Sequence, residues 1–185
     1  MSTVQGQQTQ AQCLEIVKGA RALFADKLHD YGAAWRIMRP SSLTDQIYIK
    51  ANRIRTLQDT KLNLVGEDIE GEFVAILNYG LVAMIQLDRG AVDSPDITNA
   101  EALELYDRYL SLTLELMQAK NHDYGEAWRM MRVSSIVDLI LSKIYRTKQI
   151  EDLEGLTKVS EGISANYMDM VNYAIFALIK LSEER

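Results

Sequence analysis

Cysteine, proline and long apolar runs are all scarce in this chain of 185 residues. The single cysteine, Cys13, excludes an intrachain disulfide and fits the reducing environment expected of a cytoplasmic protein. No apolar run approaches the roughly 18 residues that span a bilayer, so we expect no membrane association. The first twelve residues are polar and rich in glutamine, which predicts no signal peptide and a disordered tail over residues 1–10.

Positive charge is also in short supply, because 20 Lys and Arg oppose 26 Asp and Glu, for a net charge of -6. Affinity for DNA or RNA depends on an excess of basic groups, so a nucleic acid polymer is not an expected partner. A small phosphorylated ligand stays compatible with this charge, since a local basic cluster can hold one. The composition, 48% hydrophobic and 25% charged, is typical of a globular protein.

The chain contains an internal duplication. Residues 27–53, KLHDYGAAWRIMRPSSLTDQIYIKANR, align without a gap with residues 120–146, KNHDYGEAWRMMRVSSIVDLILSKIYR, at a shift of 93 residues, with 16 identities in 27 positions. Farther along, residues 65–79 align with residues 159–173 after one extra residue. We therefore expect two copies of one structural unit, related by a pseudo-twofold rotation.

The expected fold is all-α, a tandem-duplicated helical bundle with about three helices per unit. Apolar residues recur at helical spacing, and no stretch alternates with the period of a strand. The predicted boundaries are unit 1 at 11–89, a linker at 90–99 and unit 2 at 100–185, with the two units packed as one domain.

Within each unit the helix boundaries can be predicted from local signals. The first helix covers residues 11–29 or 101–122 and ends at a glycine, Gly32 or Gly125. A short turn containing the tryptophan follows. The second helix starts at Ser42 or Ser135, where Ser-x-x-Asp resembles a capping box. The third helix runs from about 66 to 88 or from about 160 to 183.

The repeated motif Lys-x-His-Asp-Tyr-Gly-x-Ala-Trp-Arg-x-Met-Arg holds more matched polar residues than a hydrophobic core requires. Two explanations stay open, a ligand-binding site and a polar network at a symmetric interface. Lys120 and Asp123 share a helix face, so they either pair with each other or bind a phosphate and a metal. Trp35 and Trp128 are either packing anchors or platforms for a nucleobase.

Polar residues on the second and third helices of each unit extend this pattern. Lys143 and Arg146 lie three residues apart, as do Lys50 and Arg53, and either phosphate or acidic side chains would offset their charge. Asp169 and Asn172 interrupt an apolar helix, so we predict that they are buried and face the segment carrying Lys120 and Asp123. Unit 1 has Ala75 where unit 2 has Asp169, which predicts that the two sites are not equivalent.

The strings Asp-Tyr-Gly-x-Ala-Trp-Arg, Ser-Ser-x-x-Asp and Asp-Met-x-Asn-Tyr resemble the nucleotide modification associated domain 1 family, also known as domain-of-unknown-function family 1599. More distantly, the chain is similar to the all-α nucleoside triphosphate pyrophosphohydrolases of the MazG and dimeric dUTPase group. Acids of Glu-x-x-Glu and Glu-x-x-Asp motifs hold magnesium in that group. Here Lys143-x-x-Arg146 and Asn166-x-x-Asp169 stand in their places, so those residues alone do not assemble the group's metal site.

The resemblance implies a nucleotide-binding protein or a Mg²⁺-dependent pyrophosphohydrolase-like enzyme. Its metal-binding and catalytic residues would be Asp123, Glu161 and Asp169. The residues that would contact a nucleotide are Lys120, Tyr124, Trp128, Arg132, Lys143, Arg146, Asn166 and Asn172, with Lys27, Asp30, Trp35, Lys50 and Arg53 in unit 1. The alternative is a non-catalytic binding or assembly protein with a degenerate site, and a homodimer is compatible with either function.

Overall fold

The computed structural model describes residues 4–154 and 162–185, and within these ranges it contains helices and no strand. The α-helices are α1 Val4–Tyr31, α2 Pro40–Thr60, α3 Ile69–Arg89, α4 Asn99–Tyr124, α5 Val133–Asp152 and α6 Ile163–Glu183. Two 3-10 turns, Ala34–Ile37 and Ala127–Met130, hold the tryptophans. The predicted all-α fold and the order of three helices in each unit are confirmed.

The two units share one hydrophobic core. Helices α3 and α6 pack against each other at its centre, α2 and α5 close it on one side, and α1 and α4 flank it on the other. A Cβ atom at Gly80 would lie 2.5 Å from Cγ2 of Val171, so glycine permits the close approach of α3 to α6. By length and composition alone α3 could cross a membrane, but most of its residues are buried inside the bundle.

Reciprocal ion pairs join the two units across α2 and α5. Asp45 Oδ1 lies 2.7 Å from Lys148 Nζ, and Asp138 Oδ1 lies 3.7 Å from Arg55 Nη1. The shift of 93 residues converts the first pair into the second, as expected if a twofold exchange relates the units. These contacts agree with the predicted pseudo-twofold arrangement.

The capping boxes predicted at the start of the second helices, which would include Asp45 and Asp138, are wrong. Helix α2 begins at Pro40 and α5 at Val133, and neither has a side-chain hydrogen bond at its N-cap residue. Proline at the first helical position already has the helical φ angle and needs no amide partner. Asp45 and Asp138 therefore lie inside the helices and form the ion pairs between units.

Helix α1 begins at Val4, so the prediction of a disordered tail is wrong for residues 4–10. Thr9 is buried and donates a hydrogen bond to Glu126, and Gln12 donates one of 2.7 Å to Glu183. These partners lie more than a hundred residues away in the sequence. The polar residues therefore extend the helix because unit 2 supplies their partners.

Other predicted boundaries agree with the structure. Gly32 and Gly125, at the ends of α1 and α4, have φ angles of +66° and +59°, in the left-handed region that glycine favours. Thr98 and Glu101 form a reciprocal capping box at the start of α4. Asp68 caps α3 by accepting a hydrogen bond from the Gly71 amide. The predicted start of the last helix near residue 160 lies outside the described residues.

Candidate functional site

The first arginine of the repeated motif is a structural anchor in unit 1. Arg36 is 1% exposed, and its guanidinium donates to Asp96 at 2.8 Å, to the Gly90 carbonyl at 2.8 Å and to Gln86. Gln86 in turn donates to three backbone carbonyls of the tryptophan turn, at residues 35, 36 and 38. The pKa of Asp96 is lowered, chiefly by its hydrogen bond with Arg36. This network fixes the turn to the end of α3 and to the linker.

Arg129 has the same role in unit 2 with different partners. Its guanidinium donates to Thr9 and Gln12 at 2.6 Å, to Glu183 at 2.9 Å and to Glu126 at 3.1 Å. Lys180, which corresponds to Gln86, donates to the Arg129 carbonyl at 2.8 Å. The sequence identified these arginines as matched polar residues, but it did not show that they anchor the turn.

The two tryptophans are packed rather than presented to solvent. The Trp128 ring is 6% exposed and stacks on Phe176, with ring centroids 4.3 Å apart and an interplanar angle of 8°. Trp35 is partly buried beside Phe24, with centroids 6.3 Å apart. These contacts favour the packing explanation, since a ring stacked inside the core presents no free face to a base.

The polar centre of unit 2 is Asp169, which is 6% exposed on α6. Lys120 of α4 donates to its Oδ1 at 2.6 Å, and Lys143 Nζ of α5 lies 2.7 Å from its Oδ2. Arg146, one turn beyond Lys143, is exposed and has no ion-pair partner among the residues that the structure describes. We call Lys120 and Lys143, which contact Asp169, together with Arg146 one turn along α5, the cation cluster.

Tyr173 lies beside the cation cluster. Burial raises the pKa of its phenol above the ordinary value, and the negative charge of Asp169 raises it further. The positive charges of Lys120 and Arg146 act in the opposite direction. The phenol therefore stays protonated near neutral pH.

In unit 1 the cations of the second helix are neutralised by an acid at a different position, Glu72. Glu72 is 4% exposed on α3 and lies 2.7 Å from Arg53 Nη1 and 3.4 Å from Lys50 Nζ. Glu67 adds a second carboxylate, 3.8 Å from Arg53. Acidic side chains of the described residues thus offset both paired cations in unit 1 but only Lys143 in unit 2, so this possibility, one of the two that the sequence left open, holds fully in unit 1.

The two predicted asparagines of unit 2 satisfy backbone groups. Asn172 is 4% exposed and donates to the Thr113 carbonyl at 3.1 Å, as Asn78 donates to the Ala20 carbonyl in unit 1. Asn166 donates to the Gly162 carbonyl at 2.8 Å, at the start of α6. The predicted burial of Asp169 and Asn172 is confirmed. Asp169 also faces the segment carrying Lys120, as predicted, since Lys120 donates to it.

Several motif residues point to solvent instead. The side chain of Asp123 is 77% exposed, beside His122, and that of Asp30 is 71% exposed, beside His29. Tyr124 is exposed as well. Among the described residues, Lys27, Arg39 and Arg132 are exposed and have no ion-pair partner.

The described residues bring together no group of three or more His, Cys, Asp or Glu side chains that could hold a metal ion. Both oxygens of Asp169 contact ammonium groups, and Asp123 extends into solvent. Glu161, the third predicted magnesium ligand, lies outside the described residues. The described residues, Asp123 and Asp169 among them, therefore do not fit a resident magnesium site.

The fold and the repeated site define an all-α protein of two tandem units, each with a tryptophan turn and a second helix that carries paired cations. The chain belongs to the Nucleotide modification associated domain 1 family, whose model matches residues 27–87 and residues 120–181. The two matched segments lie one in each unit, as the duplication requires. No curated protein and no solved structure matches the chain.

Proposed function

We propose that the protein binds a nucleotide through its phosphate groups at the cation cluster of unit 2. The observation that carries this proposal is Asp169, a buried carboxylate that holds two lysine ammonium groups at 2.6 and 2.7 Å. Arg146 lies one turn of α5 beyond Lys143, and within residues 4–154 and 162–185 it has no ion-pair partner. The family description, which associates this domain with nucleotide modification, supports a nucleotide over other phosphorylated ligands.

The cluster is suited to phosphate because its donors are already gathered. The ammonium group of Lys143 has hydrogens beyond the one directed at Asp169, and these can be donated to phosphate oxygens. Arg146 adds a planar guanidinium, which binds two oxygens of a phosphate at once. Asp169 keeps the two lysines close together, so less conformational entropy is lost when the ligand binds.

Magnesium has a place in this proposal as the counter-ion of the nucleotide. Mg²⁺ is commonly bound by one or two carboxylates together with substrate phosphates, so it can arrive with a triphosphate. The exposed Asp123 carboxylate is available at the end of α4. The chain's own groups bind and orient the phosphates whether or not turnover follows.

The proposal is tested by calorimetric titration of the full chain with nucleoside mono-, di- and triphosphates, each with and without Mg²⁺, while released phosphate and pyrophosphate are measured. We expect affinity to rise with the number of phosphates and to fall as salt is added, since partly exposed charges are screened. Equal affinity across the phosphate series, or no binding at millimolar concentration, would reject it.

A further inference from the structure

A cavity of about 550 Å³ lies between the first half of α1 and the second half of α4. Its floor is formed by Cys13, Leu14, Leu114 and Met117, and Cys13 Sγ lies 3.4 Å from Met117 Sδ. Burial raises the pKa of the Cys13 thiol to about 12, so the floor is uncharged near neutral pH. None of the residues of the cation cluster lines this cavity.

The corresponding region of the other half of the molecule is filled. There Phe24 of α1 stacks on Tyr106 of α4, with ring centroids 4.5 Å apart. At the shift of 93 residues, Phe24 corresponds to Met117 and Tyr106 corresponds to Cys13. A pair of stacked aromatic rings in one half is thus replaced by two smaller sulfur-containing side chains in the other.

An ion pair is replaced in the same way. Arg21 donates to both oxygens of Asp107, at 2.6 and 2.8 Å, and so closes the outer side of the filled region. The corresponding residues in the cavity are Leu114 and Leu14. The cavity therefore results from coordinated differences between the two copies and not from a single loose contact.

At the rim of the cavity, polar side chains replace the apolar side chains of the filled half. Three carboxamides line the cavity where the filled half has apolar side chains: Gln10 for Leu103, Gln118 for Ala25 and Asn121 for Leu28. Leu28 is 2% exposed in its own half. An apolar floor with a carboxamide rim is the lining of a ligand pocket rather than of a packed core.

A further acceptor comes from Glu126, which is 8% exposed and lines the cavity. Its φ angle of +61° is in the left-handed region, which is unfavourable for a residue other than glycine. The Arg129 guanidinium lies 3.1 Å from its carboxylate, so the acceptor is offered without an uncompensated negative charge.

We propose that this cavity binds the uncharged heterocycle of a nucleoside, with the ring on the floor and its polar edge against the carboxamides. A carboxamide presents a donor and an acceptor in one plane, which matches the edge of a base. Thioether sulfur makes favourable contacts with aromatic rings. Among the residues that the structure describes, no Lys or Arg lines the cavity, so this site recognises the base and not the phosphates.

The test is a titration of the full chain with phosphate-free ribo- and deoxynucleosides, by calorimetry and by saturation-transfer NMR, at low and high salt. We expect binding that salt changes little, because the nucleoside carries no charge. In Cys13→Tyr/Met117→Phe, the pair found in the filled half occupies the cavity, and nucleoside affinity should fall at least tenfold. Glu115→Gln, on an exposed face of α4, is the control and should bind as the original chain does.

A second variant guards against misfolding of the first. Gln118→Ala/Asn121→Leu carries the residues of the filled half at the rim, and it should weaken nucleoside binding about tenfold, as expected for loss of carboxamide contacts to a base. Unchanged nucleoside affinity in either folded variant would overturn the proposal. So would binding of an apolar probe such as toluene when no nucleoside binds at millimolar concentration. Absence of nucleoside binding would overturn this proposal alone, because phosphate binding at the cation cluster is tested separately by its dependence on salt.

Discussion

Glu72 of α3 and Asp169 of α6 form ion pairs with equivalent lysines, Lys50 and Lys143, from positions one helical turn apart. In the aligned units Asp169 corresponds to Ala75 and Glu72 corresponds to Asn166. Glu72 contacts both Lys50 and Arg53, whereas Asp169 reaches Lys143 and also Lys120 on α4. The position of one carboxylate therefore decides whether the lysine of the repeated motif is drawn into the polar centre.

The first prediction concerns this carboxylate. Glu72→Asn should lower the free energy of unfolding by about 1–3 kcal/mol, because it leaves two partly buried cations without their acid. Adding Ala75→Asp recreates the arrangement of unit 2 and should recover most of the loss. Urea unfolding of the single and double variants measures both effects, and a double variant no more stable than Glu72→Asn would contradict the explanation.

The second prediction separates the two arginines of the motif. Arg36→Met should destabilise the protein by about 3 kcal/mol or more, because Gln86, Asp96 and the Gly90 carbonyl lose their donor in a buried position. Arg39→Met should change stability by no more than about 0.5 kcal/mol, since this side chain is exposed. Thermal unfolding of the two variants side by side provides the measurement. Similar melting temperatures would contradict the anchor role of Arg36.

How much of this structure the sequence could predict depends on how far apart the interacting residues lie along the chain. The duplication and the apolar spacing were enough to predict the fold, the tryptophan turns and the burial of Asp169. The start of α1 was missed because Thr9 depends on Glu126, 117 residues away, and local composition contains no trace of that contact. The caps predicted at Ser42 and Ser135 failed because α2 and α5 begin two residues earlier, at Pro40 and Val133.

The candidate site was only partly predictable, because its contacts also join residues that are far apart along the chain. Helical spacing placed Lys120 and Asp123 on one face, but only the tertiary packing shows that Lys120 joins Asp169 while Asp123 extends into solvent. The cavity required knowing which helices meet. Once α1 and α4 are neighbours, the replacement of Tyr106 by Cys13 in the aligned copies becomes a signal that the sequence did contain.

The third prediction concerns pH. Burial raises the pKa of Glu151 above its ordinary value of 4.5, although Thr44 and Tyr167 hydrogen bond to its carboxyl group. The folded state therefore binds the proton more tightly than the unfolded state does. As a result, this residue's contribution to stability falls as pH rises from about 4.5 through the raised pKa of the folded state. Glu151→Gln should remove that part of the pH dependence, and denaturant unfolding between pH 4 and 8 measures it. An unchanged slope in the variant would contradict the assignment.

The fourth prediction uses Asp169→Asn, which keeps the shape of the side chain and removes its charge. Affinity for a nucleoside triphosphate should fall, because the two ammonium groups are no longer held close together before the ligand binds. If the chain turns over a nucleotide with Mg²⁺, the rate should fall by on the order of a hundredfold, as for loss of an electrostatic stabiliser. Calorimetry and a phosphate-release assay on the same samples separate the two effects. Unchanged affinity would contradict the role of Asp169 in holding the two lysines together for the phosphates.

The most direct test of the central claim is the affinity of a nucleoside triphosphate for Lys143→Met, compared with Lys50→Met at the equivalent position of unit 1. Lys143 belongs to the cation cluster, whereas Lys50 is associated with the carboxylate of Glu72. Loss of a charge-assisted contact predicts that affinity falls about tenfold or more in Lys143→Met. The same titration of Lys50→Met should match the unchanged chain. Equal affinities for both variants and the unchanged chain would contradict phosphate binding at unit 2.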